Sequence, residues 1–291
     1  MTEISREILD KYQIRKTGPQ KSAFIAFMKE KYPHLRVESG GFPRSRNLVV
    51  GDPDRAKMIF CAHYDTCAAL PFPNLIMPKN IPLSLLYAVL ICIPFLALGG
   101  AAAALVSLLT ESAAVQYWTF LGVYFASFFA LLLFGRPNRH TVNDNTSGVI
   151  VLCELMEILP PSVRAQVCFV FFDHEENGLI GSSYFRKAHK KPTAHIPVIN
   201  FDCVSDGEHM LLVQRKPFLK QYGDALREAF TDRDGITVHH EKEGSMKYKN
   251  LLFDLDGTLT DPGEGITRSV EYALRAYGIE VEVRQTLYPF I

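Results

Sequence analysis

Residues 166–182 read QVCFVFFDHEENGLIGS, and the reading of this stretch decides the fold. Gln166–Phe172 is a nearly continuous apolar run, short and rich in β-branched and aromatic residues. Such a run is expected to form a strand buried on both faces. It ends in an acidic turn, Asp173-His174-Glu175-Glu176, and a helix is expected over Gly181–Ala188. Working outward, strands are expected at Asn47–Val50, Lys57–Cys61, Pro197–Phe201, His209–Val213 and Ile236–His240. Helical spacing marks residues 3–12, residues 19–31, Ser147–Leu159 and Phe218–Phe230, with Phe24, Phe27 and Met28 on one face of the second. The turn residues Gly51-Asp52-Pro53-Asp54 suggest that the first two strands form a hairpin. Strands alternating with helices imply an α/β fold: a three-layer sandwich with a mostly parallel central sheet covered on both faces.

The chain has 291 residues and a formal net charge of zero. It shows no basic stripe, which argues against a nucleic-acid partner. Cys61, Cys67, Cys92, Cys153, Cys168 and Cys203 form no CxxC pair and read as reduced thiols of a cytosolic domain. The opening MTEISREILDKYQIRK is charged and amphipathic, without the apolar core of a signal peptide.

Composition then changes sharply. Neither Ile81–Leu109 nor Ala113–Phe134 contains a charged residue. Each run is long enough to cross a bilayer, which takes roughly 20 apolar residues. Tyr117 and Trp118 stand at one end of the second run, and Lys79, Arg136 and Arg139 flank the outer ends. By the positive-inside tendency those ends are cytoplasmic. Residues 80–134 are therefore expected to be a transmembrane helical hairpin inserted into a soluble domain. That makes the lipid bilayer a partner, and the location a cell membrane crossed by two spans with the catalytic part in the cytoplasm. The connections from Asp65 to the first run and from the second to Asp144 are short, so the site mouth is expected close to the cytoplasmic membrane face.

Four motifs carry the chemistry: IFCAHYDT (59–66), TVNDNTSG (141–148), FFDHEENGLIGS (171–182) and INFDCVSDG (199–207). Each lies at a strand end or a helix start, and open α/β sheets form their sites at the carboxyl ends of strands. Singly, His63 reads as a structural histidine, Asp144 as an N-cap and Glu175-Glu176 as a solvated turn. Together, a histidine and several carboxylates placed straight after buried strands are the donor mix for zinc or a similar divalent cation. The residues alone thus point to a metal-assisted hydrolase.

In order and content the four motifs resemble the di-zinc aminopeptidases related to glutamate carboxypeptidase and the transferrin receptor, over residues 1–245 apart from the hydrophobic insertion. The resemblance implies a peptide substrate and two Zn²⁺ ions. It implies that His63 and Asp202 hold one zinc, that Asp144 bridges both, and that Glu176 holds the second. Glu175 would be the general base, and Asp65 would hydrogen-bond the His63 imidazole and orient it. The family's last ligand is a histidine after the strand Ile236–His240, and here the sequence departs. His239 and His240 lie upstream of that position, so one zinc is expected to be well held and activity impaired.

At that position the chain instead runs MKYKNLLFDLDGTLTDPGEG (246–265). Tyr248–Phe253 reads as a strand, and DLDGTLTD resembles the start of haloacid dehalogenase-like phosphatases of the phosphoglycolate phosphatase type. That resemblance implies Asp254 as nucleophile, Asp256 as acid, a nearby Mg²⁺, and a helix over Ile266–Tyr277. The motifs that complete such a site are not found after it, so Mg²⁺ chemistry is expected only if that fragment were completed. The expected organisation is an incomplete metallopeptidase domain (1–79 and 135–245), the hairpin (80–134) and a phosphatase-like strand-helix fragment (246–291). The sequence points to a membrane-anchored zinc metallopeptidase of the aminopeptidase type. The rivals are a phosphatase fragment and a non-catalytic membrane protein that keeps the peptidase fold.

Overall fold

The acidic-ended apolar run forms an interior strand in the computed structural model, which describes residues 1–70, 81–190, 196–206, 209–232, 236–242 and 250–256. In chain order the strands are β1 (Arg36–Gly40), β2 (Ser45–Val50), β3 (Met58–His63), β4 (Val167–Phe172), β5 (Val198–Asp206), β6 (His209–Gln214), β7 (Thr237–Lys242) and β8 (Asn250–Asp256). The helices are α1 (Glu3–Lys11), α2 (Gly18–Lys31), α3 (Ile81–Ser107), α4 (Ala113–Phe134), α5 (Gly148–Ile158), α6 (Pro161–Arg164), α7 (Ile180–Ala188) and α8 (Lys216–Ala229). The chain divides into two units, Met1–Thr66 with Arg139–Ile291, and Cys67–Asn138.

In the first unit the strands make one sheet in the order β1-β2-β4-β3-β5-β8-β6-β7. The β4–β3, β3–β5, β5–β8 and β6–β7 pairs are parallel; the other three are antiparallel. Alternating side chains divide the core. Met58, Phe60, Phe169, Phe171 and Phe201 meet α1, α2 and α5 through Ile8, Phe24, Met28, Leu152 and Met156. Ile59, Cys61, Cys168 and Val170 face the other way with Phe185 of α7. The Phe60 ring stacks on Phe169 at 5.6 Å and on Phe201 at 6.2 Å. Burying each such ring contributes roughly 1.5–3 kcal/mol. Helix α2 starts in a capping box, where Thr17 Oγ1 accepts from the Gln20 amide and Gln20 Oε1 accepts from the Thr17 amide.

The expected β2–β3 hairpin does not form. β4 lies between the two strands, and the true hairpin is β1–β2. Gly51 shows why a turn signal there misleads. Its φ is +96°, and a Cβ on it would lie 2.7 Å from the Val167 carbonyl oxygen. The glycine thus lets the chain step closely over the start of β4 on its way to β3.

Interior strand β8 comes from the stretch that resembles the start of a phosphatase. Its backbone pairs with β5 on one side (Asp202↔Asp254) and β6 on the other (Leu211↔Asp254). Among the described residues, strands β6 and β7 reach the rest of the sheet through β8. The expected helix over Ile266–Tyr277 lies outside the described residues.

In the second unit, the ends of the insertion are zipped together. The Ala69 amide donates to Arg136 O at 2.7 Å, and the Asn138 amide to Cys67 O at 3.2 Å. Helices α3 and α4 pack at Gly99, where a Cβ would lie 2.9 Å from Phe120 O, and Phe95 sits edge-on to Phe128 at 5.6 Å. Both helices are long and apolar enough to cross a membrane. Their outward side chains are open, with Leu85 66%, Trp118 68% and Phe134 83% exposed.

A chain stopped after Ser245 is expected to lose order in β6 and β7 while β3 and β4 stay folded. Amide hydrogen exchange is the measurement; protection of Leu211–Gln214 that survives the truncation would show that β8 does not hold them.

Candidate metal centre

Four segments converge near the carboxyl ends of β3 and β4 and the middle of β5. His63 closes β3, Glu175 and Glu176 follow β4, and Asp202 lies on β5. Asp144 comes from the irregular turn Val142–Ser147 that leads into α5. His63 Nε2 lies 3.2 Å from Asp144 Oδ1, 3.5 Å from Asp202 Oδ1 and 4.0 Å from Glu175 Oε2. Ligand atoms of His63, Asp144 and Asp202 fall within 4.8 Å of one another, as do those of His63, Glu175 and Glu176. The His63 side chain is 3% exposed, whereas Asp144 and Asp202 are 23% and 26% exposed. The centre therefore opens to solvent on its carboxylate side.

The His63 tautomer follows from its second nitrogen. Nδ1 lies 3.0 Å from the main-chain carbonyl oxygen of Asp65. A carbonyl only accepts, so Nδ1 carries a proton, and Nε2 is the nitrogen that faces Asp144 and Asp202. Asp65 makes this contact with its main chain. Its carboxylate is 3.7 Å from Nδ1, beyond hydrogen-bond range. Instead Oδ1 accepts from the Glu175 amide at 3.0 Å and Oδ2 from the Glu176 amide at 3.3 Å. Asp65 orients the ring through its backbone and the two glutamates through its side chain.

The other segments are stitched in the same way. Asn145 donates to Phe201 O at 2.8 Å, Ser147 Oγ accepts from the Val204 amide at 3.0 Å, and Asn143 Oδ1 accepts from the Ser205 amide at 3.1 Å. The Asp144 turn is thereby fixed to the strand that carries Asp202. His174 and Cys203, next to Glu175 and Asp202, have φ of +54° and +53°. Left-handed backbone at non-glycine residues is costly and tends to collect at functional sites.

Sequence reasoning missed Lys21. Its Nζ meets Asp173 Oδ1 at 2.6 Å, with side chains only 5% and 1% exposed. Asp173 also accepts from the Arg46 and His174 amides, anchoring the root of the glutamate loop. The signal was present: Lys21 shares the apolar face of Phe24 and Met28, where a lysine needs a buried partner. His239 and His240 sit on β7, at the sheet edge. His239 Nε2 lies 3.1 Å from His209 Nδ1, and His240 Nε2 lies 3.1 Å from Phe230 O, so both rings are engaged away from the centre.

The donors fit a divalent cation. Glu176 Oε1 is buried without a hydrogen-bond partner, and carboxylates crowd one imidazole. Burial, with Asp202, Asp65 and Asp144 adding to it, raises Glu175 to about 7. Burial and then Asp144 raise Glu176 to about 8. For His63, burial pulls down, but Asp144, Asp202 and Asp65 outweigh it and hold the ring well above its usual value. Burial opposes the charge on Asp65, but His63 and then Lys21 outweigh it and lower that carboxyl.

A model of peptidase family M28 matches residues 133–251, less than half of the chain and a stretch that includes Asp144, Glu175, Glu176 and Asp202. Among solved structures, the LapA aminopeptidase of Legionella pneumophila is 11% identical at a TM-score of 0.49, covering 96% of this chain and 68% of that one. A Zn-dependent exopeptidase from Parabacteroides distasonis is 10% identical at a TM-score of 0.47, covering 98% and 95%. Porphyromonas gingivalis glutaminyl cyclase is 11% identical at a TM-score of 0.48, covering 96% of each chain. Of curated proteins, a Pseudomonas aeruginosa 5'-nucleotidase is 62% identical over 39 residues, which are 13% of this chain and 18% of that protein.

Without metal, stability should fall as pH rises. Ionised Glu175 and Glu176 are penalised in the fold, so their cost grows between the ordinary 4.5 and about 8. The raised His63 value acts in the same direction, its contribution being lost above 6.5. The thermal midpoint of the metal-free chain is expected to drop from about pH 5 to about pH 8, and Glu175→Gln should flatten that slope. A midpoint that rises over this range would contradict the electrostatic reading.

Proposed function

We propose that this chain is a zinc-dependent peptidase of the aminopeptidase type, anchored in a membrane by α3 and α4. One observation carries the proposal: His63 Nε2 faces Asp144 and Asp202 oxygens at 3.2 and 3.5 Å, beside the orphaned Glu176 Oε1. The family model over residues 133–251 supports the same reading. His63, Asp144 and Asp202 would hold the ion, with Asp144 and Glu176 reaching toward a second position. When bound, zinc supplies Lewis-acid polarisation of the peptide carbonyl and lowers the pKa of water. Glu175, raised to about 7, is suited to accept the proton of the attacking water at Oε2 and return it to the leaving amine. Asp65 keeps Glu175 and Glu176 aimed differently by binding their successive amides.

Among the described residues no second histidine joins Asp144 and Glu176, which supports one well-held ion and impaired turnover. The phosphatase rival is disfavoured, because both edges of the strand bearing Asp254 and Asp256 are paired within this sheet. For the membrane, the support is the length of α3 and α4 and the apolar surface they leave open. Arg136 and Arg139 beyond α4 favour a cytoplasmic side for that end, and with it for the catalytic unit.

Metal analysis of the purified chain is expected to find a single tightly held zinc, lost in His63→Ala and Asp202→Asn. Two tightly held ions would refute the one-ion reading, and none would refute the metal centre. Glu175→Gln should keep the zinc and lower peptide turnover roughly 10²–10⁴-fold.

The chain is further expected to stay with membranes through carbonate washing and to leave them only in detergent. Removal of residues 81–134 should release it. Extraction of the full chain by carbonate alone would count against a spanning hairpin.

A further inference from the structure

A second buried cation lies behind the centre. Arg15, in the connection from α1 to α2, is 0% exposed, and no carboxylate among the described residues forms an ion pair with it. Its donors go to neutral oxygens. Nε donates to Tyr64 O, Nη1 to Tyr12 O and Gln13 O, and Nη2 to Thr146 Oγ1 at 3.1 Å. Its amide donates to Thr66 Oγ1 at 3.0 Å, and the guanidinium lies 5.1 Å from the Phe24 ring centre. Gln13 O in turn accepts from Thr141 Oγ1 at 2.8 Å and Thr146 Oγ1 at 3.3 Å.

Beyond its own connection, these hydrogen bonds reach two segments. Tyr64 and Thr66 flank Asp65 directly after His63, and Thr146 stands two residues past Asp144. Asp65 favours the charge electrostatically, yet no carboxylate among the described residues touches it, and a buried charge so placed is expensive. What an apolar residue cannot supply is a rigid planar fork that spans two chain segments at a set distance. Burial lowers its pKa to about 10, so it stays charged at neutral pH.

We propose that Arg15 is a positioning residue for the metal centre: it fixes the spacing between the His63–Asp65 segment and the Asp144 turn, and through it the affinity for zinc. The proposal rests on the reading of His63, Asp144 and Asp202 as zinc ligands. Nothing in it requires Arg15 to touch metal or substrate.

The test uses the full chain in detergent, with Arg15→Lys, which keeps the charge but loses the fork, Thr146→Val, which removes one acceptor, and the double variant. Zinc titration is expected to show roughly tenfold weaker binding in Arg15→Lys. The double variant should be weakened less than the product of the two single effects, because both break one contact. Amide exchange on the metal-free proteins gives a readout that needs no zinc. Several-fold faster exchange at residues 64–66 and 143–147, with α5 and β4 unchanged, is the expected pattern. Unchanged zinc affinity beside a lowered thermal midpoint, or a uniform rise in exchange, would overturn the proposal. If the wild-type chain binds no zinc, the metal-centre reading fails on its own, and Arg15 is judged by exchange: no local change overturns the bridging role.

Discussion

The site depends on where one buried carboxylate spends its hydrogen bonds. Asp65 is 1% exposed, and its two oxygens accept from the consecutive amides of Glu175 and Glu176. A buried carboxylate is tolerated only when hydrogen bonds and opposite charge replace its water. Here the replacement comes from the loop that carries the acidic pair, so satisfying Asp65 also places that loop. Its own carbonyl holds His63 Nδ1, which leaves Nε2 free. A single residue thereby sets the ring tautomer and the direction of both glutamates, joining the end of β3 to the end of β4.

The result is a cluster at odds with its surroundings. Glu175 and Glu176 are both driven toward the neutral form by burial and neighbouring carboxylates, and His63 is held charged by the same neighbours. A fold that optimised stability alone would not gather these groups, flank them with left-handed His174 and Cys203, and leave Glu176 Oε1 unpartnered. Local rules broken together at one rim mark a functional site, and its excess of carboxylates favours a cation. Lys21 answers part of that need from below, yet it is bound to Asp173 and cannot enter the cluster.

Much of this was legible in the sequence, for a physical reason. His63, Glu175 and Glu176 close or follow apolar strands, Asp144 precedes a helix, and Asp202 follows the apolar run 197–201 inside the longer β5; the structure brings them together. The long apolar runs announced α3 and α4, and the continuous ones announced β3, β4 and β5. Strand β1 was missed because RVESG is half exposed at a sheet edge and carries no apolar pattern. The order β2-β4-β3 was missed because a turn signal reports that the chain bends, not which strand it crosses; only the contact of Gly51 with Val167 shows that. Arg15 and Lys21 were hidden by their charge. Their role depends on carbonyl and carboxylate partners from remote segments, and no local period encodes those.

The final strand shows how a sheet selects its members. The slot between β5 and β6 needs parallel pairing on one side and antiparallel on the other. The backbone of Asn250–Asp256 fills both ladders. A haloacid dehalogenase-like site would need this same strand to pair with strands of its own sheet. One strand has two edges, and here both are taken, by β5 and by β6. This sheet and a phosphatase-like sheet are therefore alternatives for Asn250–Asp256. In the arrangement that holds β6 and β7 in place, Asp254 belongs by register to the neighbourhood of Asp202 rather than to a phosphate site of its own.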